Sequence, residues 1–187
     1  MIAVTQPVLL PIPRETTIEA SSTPLPDRAT IGIGSSDLLF EAQQAQTALK
    51  TFGERDWQIV ADSREHGLAL NLDPQLPHAQ EYRMRVRAGR IEIAGKDASA
   101  VYYGVCTLAQ LLQHYGATLP DLTIRDYPDF PVRGVMLDIS RDKVVTMETV
   151  YGLVEMLAGW KMNQLQLYME HSFAYSQHET VWKEASP

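Results

Sequence analysis

The stretch Ile124-Arg-Asp-Tyr-Pro-Asp-Phe-Pro-Val-Arg-Gly-Val-Met-Leu-Asp-Ile-Ser-Arg141 joins two different sequence patterns. Its first half is extended, because a residue that precedes a proline is pushed out of the helical region, here at Tyr127 and Phe130. Leu119 to Val132 therefore reads as a connector, with the domain boundary inside it. In its second half Gly134-Val-Met-Leu137 is a nearly continuous apolar run, the pattern of a parallel strand buried on both faces. A helical pattern from Thr146 to Trp160 and a second apolar strand from Leu165 to Met169 follow. Strand, helix and strand make one βαβ unit, for which the handedness rule predicts a right-handed parallel crossover. Two strands are too few for a parallel sheet, and the chain stops at Glu184-Ala-Ser-Pro187 with this architecture barely begun, so the sequence reads as truncated.

Upstream of the connector the pattern is α+β. Five prolines, Pro7 to Pro26, mark an extended lead-in with an edge strand near Thr16 to Ala20. Ala29 to Ile33 is a short strand. Ser36 stands as N-cap to a helix carrying Leu39, Ala42, Gln46, Leu49 and Phe52, and Gly53 closes it. Trp57 to Val60 and Gly67 to Leu72 read as two strands. Tyr82, Met84 and Val86 then alternate with Arg83, Arg85 and Arg87, and after the turn Ala88-Gly89 the apolar face continues with Ile91 and Ile93: an antiparallel hairpin. The three arginines form either an anion-binding stripe or, as strict alternation favours, the solvated side of a half-buried sheet. Asp97 leads into a helix from Ala98 to His114, with Gly104 packed closely on the sheet and Gly116 as its stop. Cys106, the single cysteine, sits in the apolar pattern of this helix as a small buried residue.

The 187 residues are 45% hydrophobic and 21% charged, enough for one ordinary core or one and a half. A net charge of -7 leaves no basic excess for nucleic acid or anionic lipid, so a neutral or small substrate fits better. No signal peptide and no apolar run long enough for a membrane span is visible, which sets a cytoplasmic expectation.

Reactive groups in parallel α/β architectures gather at the carboxyl ends of strands. The first strand ends in Asp138-Ile-Ser-Arg141 and the second in Tyr168-Met-Glu170-His171. Neighbouring parallel strands lie about 4.8 Å apart, which lets Asp138, Arg141, Glu170 and His171 line one rim. Asp138 and Glu170 form a candidate carboxyl pair for glycoside hydrolysis in a complete small enzyme. The plainer reading ties Asp138 to nearby backbone N–H groups or to Arg141. Arg141 is either that ion-pair partner or a clamp for paired sugar hydroxyls, and the residues alone leave both open. Glu170, His171, His178 and Glu179 follow no zinc spacing, so no metal is expected. Without GxGxxG, GxxxxGK[ST], GxSxG or CxxC, nucleotide binding and nucleophilic serine or cysteine chemistry have no footing.

Gly89-Arg-Ile-Glu-Ile-Ala-Gly-Lys-Asp97, Tyr102-Tyr-Gly104 and Thr107-Leu-Ala-Gln-Leu-Leu112 resemble the end of the small α/β domain that precedes the barrel in family-20 glycoside hydrolases, the β-N-acetylhexosaminidases. The stretch from Ile124 to Arg141 is similar to that family's connector and first barrel strand, and Lys161-Met-Asn163 to the entry of its second. The resemblance implies a (β/α)8 barrel that removes terminal N-acetylhexosamine by substrate-assisted catalysis. In that scheme the 2-acetamido oxygen attacks the anomeric carbon, an Asp orients it, and the next residue, Glu, is the general acid. That pair follows the fourth strand, so no catalytic residue is expected in this chain. Arg141 matches the arginine that hydrogen-bonds hydroxyls of the terminal sugar, and Asp138 matches the acidic position of the same strand end. Where many members carry His-x-His-Leu-x-Asp-Asp, this chain has Gln166-Leu-Tyr-Met-Glu-His171, a departure that leaves gluco or galacto preference open.

The expectation is therefore an α+β chain in three parts: a lead-in (1–28), a small antiparallel-sheet domain with helices on one face (29–126), and a truncated (β/α)8 barrel fragment (127–187). Its function is that of the N-terminal fragment of an exo-β-N-acetylhexosaminidase, itself inactive, with Arg141, Asp138, Glu170 and His171 binding the carbohydrate substrate. The alternative is a non-catalytic carbohydrate- or partner-binding module. No cofactor, nucleic acid or membrane is implied. Self-association is expected, because two barrel strands expose their edges and apolar sides.

Overall fold

The computed structural model describes residues 7–61, 67–141, 144–169 and 174–183. The chain forms two compact units, Met1–Pro131 and Val132–Pro187.

The first unit is built on a seven-stranded sheet. Its strands are β1 (Glu15–Pro24), β2 (Thr30–Ile33), β3 (Gln58–Ala61), β4 (Leu68–Leu72), β5 (Tyr82–Arg87), β6 (Arg90–Gly95) and β7 (Thr118–Asp126), in the spatial order β1-β7-β5-β6-β4-β2-β3. Two helices, α1 (Leu39–Gly53) and α2 (Ala98–Tyr115), pack on each other and on the strands. The expected antiparallel sheet is in fact mixed. β1, β7, β5 and β6 run antiparallel to their neighbours, whereas β6, β4, β2 and β3 are parallel. Helix α1 returns the chain between β2 and β3, and a helical crossover of that kind delivers a parallel pair. The sequence favoured the antiparallel reading because its one legible pairing signal is the β5–β6 hairpin. That hairpin stands as read: Ala88 and Gly89 turn it with φ of 50° and 75°, as a two-residue primed turn requires.

A second correction concerns β7, which the sequence presents as connector. Leu122 and Ile124 are buried beside Val86 and Met84 of β5, and Asp126, opposite Tyr82, is buried too. Pro120 has no N–H to give a ladder, and it lies where the β1 register is irregular, between Ile18 and Ser22. The extended bias before Pro128 and Pro131 is real, but it acts after the strand has ended.

Alternation sorts each strand's side chains: along β5 every second residue is buried while Arg83, Arg85 and Arg87 are exposed. The core therefore lies between one sheet face and the helices, around Trp57, Tyr82, Leu70, Ile93 and Leu108. Asp97 caps α2 by accepting from Ala100 N–H at 2.8 Å, and Gly116 ends it with φ of 64°. At α1 the details differ from the reading. Ser35, not Ser36, is the cap, and it caps a short 3-10 turn (Ser36–Leu38) ahead of the helix. The left-handed residue after α1 is Glu54, while Gly53 is still helical. Cys106 is buried in α2.

The second unit contains β8 (Gly134–Asp138), α3 (Met147–Gly159), β9 (Gln164–Tyr168) and a short helix, Glu179–Trp182. β8 and β9 pair in parallel, Gly134 opposite Gln164 through Asp138 opposite Tyr168. Thr146 caps α3 through Thr149 N–H. The strand entries are locked to each other: Arg133 N–H donates to Asn163 Oδ1 at 2.8 Å, Asn163 N–H donates to Arg133 O at 2.8 Å, and the Arg133 guanidinium donates to Lys161 O at 3.0 and 2.8 Å. Val135, Met136, Tyr151, Val154, Trp160 and Leu167 remain substantially exposed, and Leu157 is the buried apolar residue of this unit among those described.

Candidate functional site

The carboxyl end of β8 brings two of the four expected site residues together. Asp138 Oδ1 accepts from Ser140 N–H at 2.9 Å, from Ser140 Oγ at 2.7 Å and from Arg141 N–H at 3.3 Å, so the carboxylate folds the chain into a tight turn directly after the strand. Its second oxygen lies 3.7 Å from Arg141 Nε. The plainer role left open for Asp138, a carboxylate tied to local N–H groups, is thus observed. These donors, the Ser140 hydroxyl first and the Ser140 N–H next, hold Asp138 below the usual carboxylate range. An anion so held accepts hydrogen bonds across the neutral range and is the opposite of a general acid, which needs a raised value.

Arg141 is directed by the same turn. Its guanidinium carbon stands 5.9 Å from the centroid of the Tyr168 ring, within reach of a cation–π contact. Tyr168 is the register partner of Asp138, and its carbonyl accepts from Ile139 N–H at 3.0 Å, which joins the two strand ends. Sequence reasoning passed over Tyr168 as a strand residue. The signal was available in the alignment of the two apolar runs, since matching Leu137 with Leu167 sets Tyr168 beside Asp138. The Arg141 side chain is 62% exposed. Glu170 and His171, the other two expected residues, lie outside the described residues. Among the described residues no three His, Cys, Asp or Glu side chains converge as metal ligands, and no helix is long and apolar enough to cross a membrane.

Residues 6–127 match the family model described as glycosyl hydrolase family 20, domain 2. The chain is similar to the beta-hexosaminidase of Porphyromonas gingivalis, 27% identical over 179 residues, which cover 89% of this chain and 23% of that protein. It is similar also to beta-hexosaminidase B of Pseudoalteromonas piscicida, 28% identical over 167 residues, covering 86% and 20%. The chain thus spans less than a quarter of the length of these relatives. Among solved structures, its fold is similar to the chitobiase of Flavobacterium johnsoniae, with a TM-score of 0.77 at 22% identity over 95% of this chain and 30% of that one. A further likeness is to the exo-β-N-acetylglucosaminidase of Vibrio harveyi in complex with N-acetylglucosamine, with a TM-score of 0.72 at 24% identity over 86% and 25%.

Proposed function

The chain belongs to glycosyl hydrolase family 20, and from that premise we propose that it is the N-terminal part of an exo-β-N-acetylhexosaminidase, a domain-2 unit followed by the first βαβ portion of a (β/α)8 catalytic barrel. The observation that carries the reading is the second unit's parallel strand pair, with Arg141 presented outward at its carboxyl end, where barrel enzymes keep their substrates. In this reading the Arg141 guanidinium donates to adjacent hydroxyls of the terminal sugar. Asp138 fixes the turn that aims it, and Glu170 and His171 complete the rim. Bond breaking belongs to the substrate's own 2-acetamido oxygen, assisted by an Asp-Glu pair from later barrel strands. The ionised state of Asp138 agrees with a binding role rather than an acid's.

Because the chain spans less than a quarter of its relatives, it is proposed to be inactive by itself. Hydrolysis of a chromogenic N-acetylglucosaminide is the test, comparing this chain with a longer version that carries all eight barrel strands. Activity in the longer protein alone is the expected result, with a loss of about tenfold or more in kcat/KM on Arg141→Ala. Activity in the short chain would place the catalytic carboxyls within it and overturn the reading. The exposed apolar side chains of β8, α3 and β9 are further proposed to drive self-association of the isolated chain, measurable by sedimentation.

A further inference from the structure

The arginine stripe of β5 lies on the sheet face opposite the helices and has no part in the reading above. Arg83, Arg85 and Arg87 follow one another at two-residue steps of about 7 Å. Arg125 stands directly opposite Arg83 on β7, and Arg90 directly opposite Arg87 on β6. Like charges placed opposite one another are unfavourable, and the two ends of the strip treat the problem differently. At one end a counter-ion is built in. The Glu81 side chain is completely buried, one of its oxygens lies 2.8 Å from Arg125 Nε and 3.6 Å from Arg83 Nε, and Glu15 meets Arg125 at 2.8 Å. At the other end carboxylates also stand in register, Glu92 opposite Arg85 on β6 and Asp121 opposite Arg87 on β7, but no ion pair forms there among the described residues. Arg85, Arg87 and Arg90 have no hydrogen bond or ion pair among the described residues. Asp121, next in register to Arg87, is engaged by Ala88 N–H at 3.0 Å and by the Ser21 hydroxyl at 3.1 Å.

Beside Arg85, and short of Arg87 and Arg90, the sheet is hollowed. A trough of about 350 Å³ runs over Thr17, Thr123 and Ala94, walled by Arg83, Arg85, Arg125, Glu15 and Glu92. We propose that this open sheet face is a second carbohydrate site, separate from the β8 end, which binds an acidic glycan carrying carboxylates or sulfates on alternate sugars. Arg85 in the trough wall and Arg87 and Arg90 at its end make no ion pair of their own, and their fork of donors matches a carboxylate or sulfate. The interleaved groups decide the kind of polymer. Glu15 and Glu92 would repel a chain with an anion on every residue, such as an acidic peptide or a nucleic acid, whereas carboxylates and threonine hydroxyls accept well from sugar hydroxyls. In a chain of net charge -7, this patch carries five arginines against four carboxylates, Glu15, Glu81, Glu92 and Asp121, a small positive excess.

The test is native affinity electrophoresis of the full chain through gels containing hyaluronan, whose uronates alternate with neutral sugars, with poly-L-glutamate and chitin oligosaccharide as separate arms. Hyaluronan alone is expected to retard the protein. The triple variant Arg85→Gln, Arg87→Gln, Arg90→Gln is expected to bind about tenfold more weakly or worse. A control with the same loss of charge elsewhere, Arg28→Gln, Lys50→Gln, Lys183→Gln, is expected to be retarded like the parent. If the first triple variant shows a reduced unfolding midpoint, single Arg85→Gln, in the trough wall, replaces it. Absence of retardation, equal weakening in both variants, or equal retardation by poly-L-glutamate or chitin oligosaccharide overturns the proposal.

Discussion

Gly104 of α2 meets Ile93 of β6 with no room for a methyl group, since a Cβ built on the glycine would lie 2.5 Å from Ile93 Cγ2 and 3.2 Å from the Tyr82 ring. The helix carries this poor former because the sheet comes so close. Gly104→Ala gains about 1 kcal/mol of helix propensity but overpacks the core by about 1–3 kcal/mol, so a net loss of stability is expected. Gly152, in the middle of α3 with nothing within 4 Å of an added Cβ among the described residues, is the internal control. There alanine is expected to stabilise by about 0.5–1 kcal/mol. Urea unfolding of both variants checks the pair, and opposite signs are the expected outcome.

Local rules carried the sequence reading as far as local physics decides. The β5–β6 hairpin was legible because Tyr82, Met84 and Val86 alternate strictly and Ala88-Gly89 suits left-handed φ. The limits of α2 followed from Asp97 and Gly116. What failed depended on partners distant in sequence. β7 was hidden by Pro120 within it and by Pro128 and Pro131 beyond its end, and only its place between β1 and β5 makes a strand of it. The parallel set β6-β4-β2-β3 consists of strands of four to six residues, whose neighbours are chosen by the helical crossover and the sheet as a whole. In the candidate site, the strand-end rule located Asp138 and Arg141, whereas the Tyr168 ring near the guanidinium required the register between two strands.

Glu41 in the first turn of α1 is 6% exposed, and its Oε2 has no hydrogen-bond partner among the described residues. Burial raises its pKa above the ordinary carboxyl value, with its own backbone N–H acting in the opposite direction. The folded state therefore holds this proton more tightly than the unfolded state, and the stability linked to it is lost as pH rises from the ordinary carboxyl value through the raised one. Glu41→Met, similar in volume and without the stranded oxygen, is expected to be more stable than the parent at pH 7 by about 1 kcal/mol. The advantage should shrink as the pH falls toward 4. Thermal unfolding of both proteins across that range measures it, and a constant difference would mean that the carboxyl does not titrate with folding.

Arg133 and Asn163 hold the entries of β8 and β9 in register, Arg133 N–H donating to Asn163 Oδ1 and Asn163 N–H to Arg133 O, and Lys161, at φ of 61°, accepts from the Arg133 guanidinium. Removing the guanidinium leaves the Lys161 carbonyl without either of its Arg133 donors. Arg133→Ala is expected to destabilise the second unit by about 1–3 kcal/mol, with the first unit unaffected. Amide hydrogen exchange reads each unit separately. Faster exchange in β8 and β9, with β5 and β6 unchanged, is the expected pattern.

Asp138 and Arg141 can be assigned by separating affinity from turnover in the longer, barrel-containing enzyme. Asp138 is held below the usual carboxylate range by Ser140 and the Arg141 N–H, a shift away from that of a general acid, so its proton is not expected to shape the pH profile. Asp138→Asn keeps an oxygen for the Ser140 donors and retains the turn, whereas Asp138→Ala loses both the turn and the aim of Arg141. The asparagine variant is expected to raise KM severalfold with kcat and both pH limbs unchanged, and the alanine variant to raise KM by about tenfold or more. A shifted acid limb in the asparagine variant, or a fall in kcat at constant KM, would make Asp138 a participant in proton transfer and remove the basis for treating it as the residue that positions Arg141.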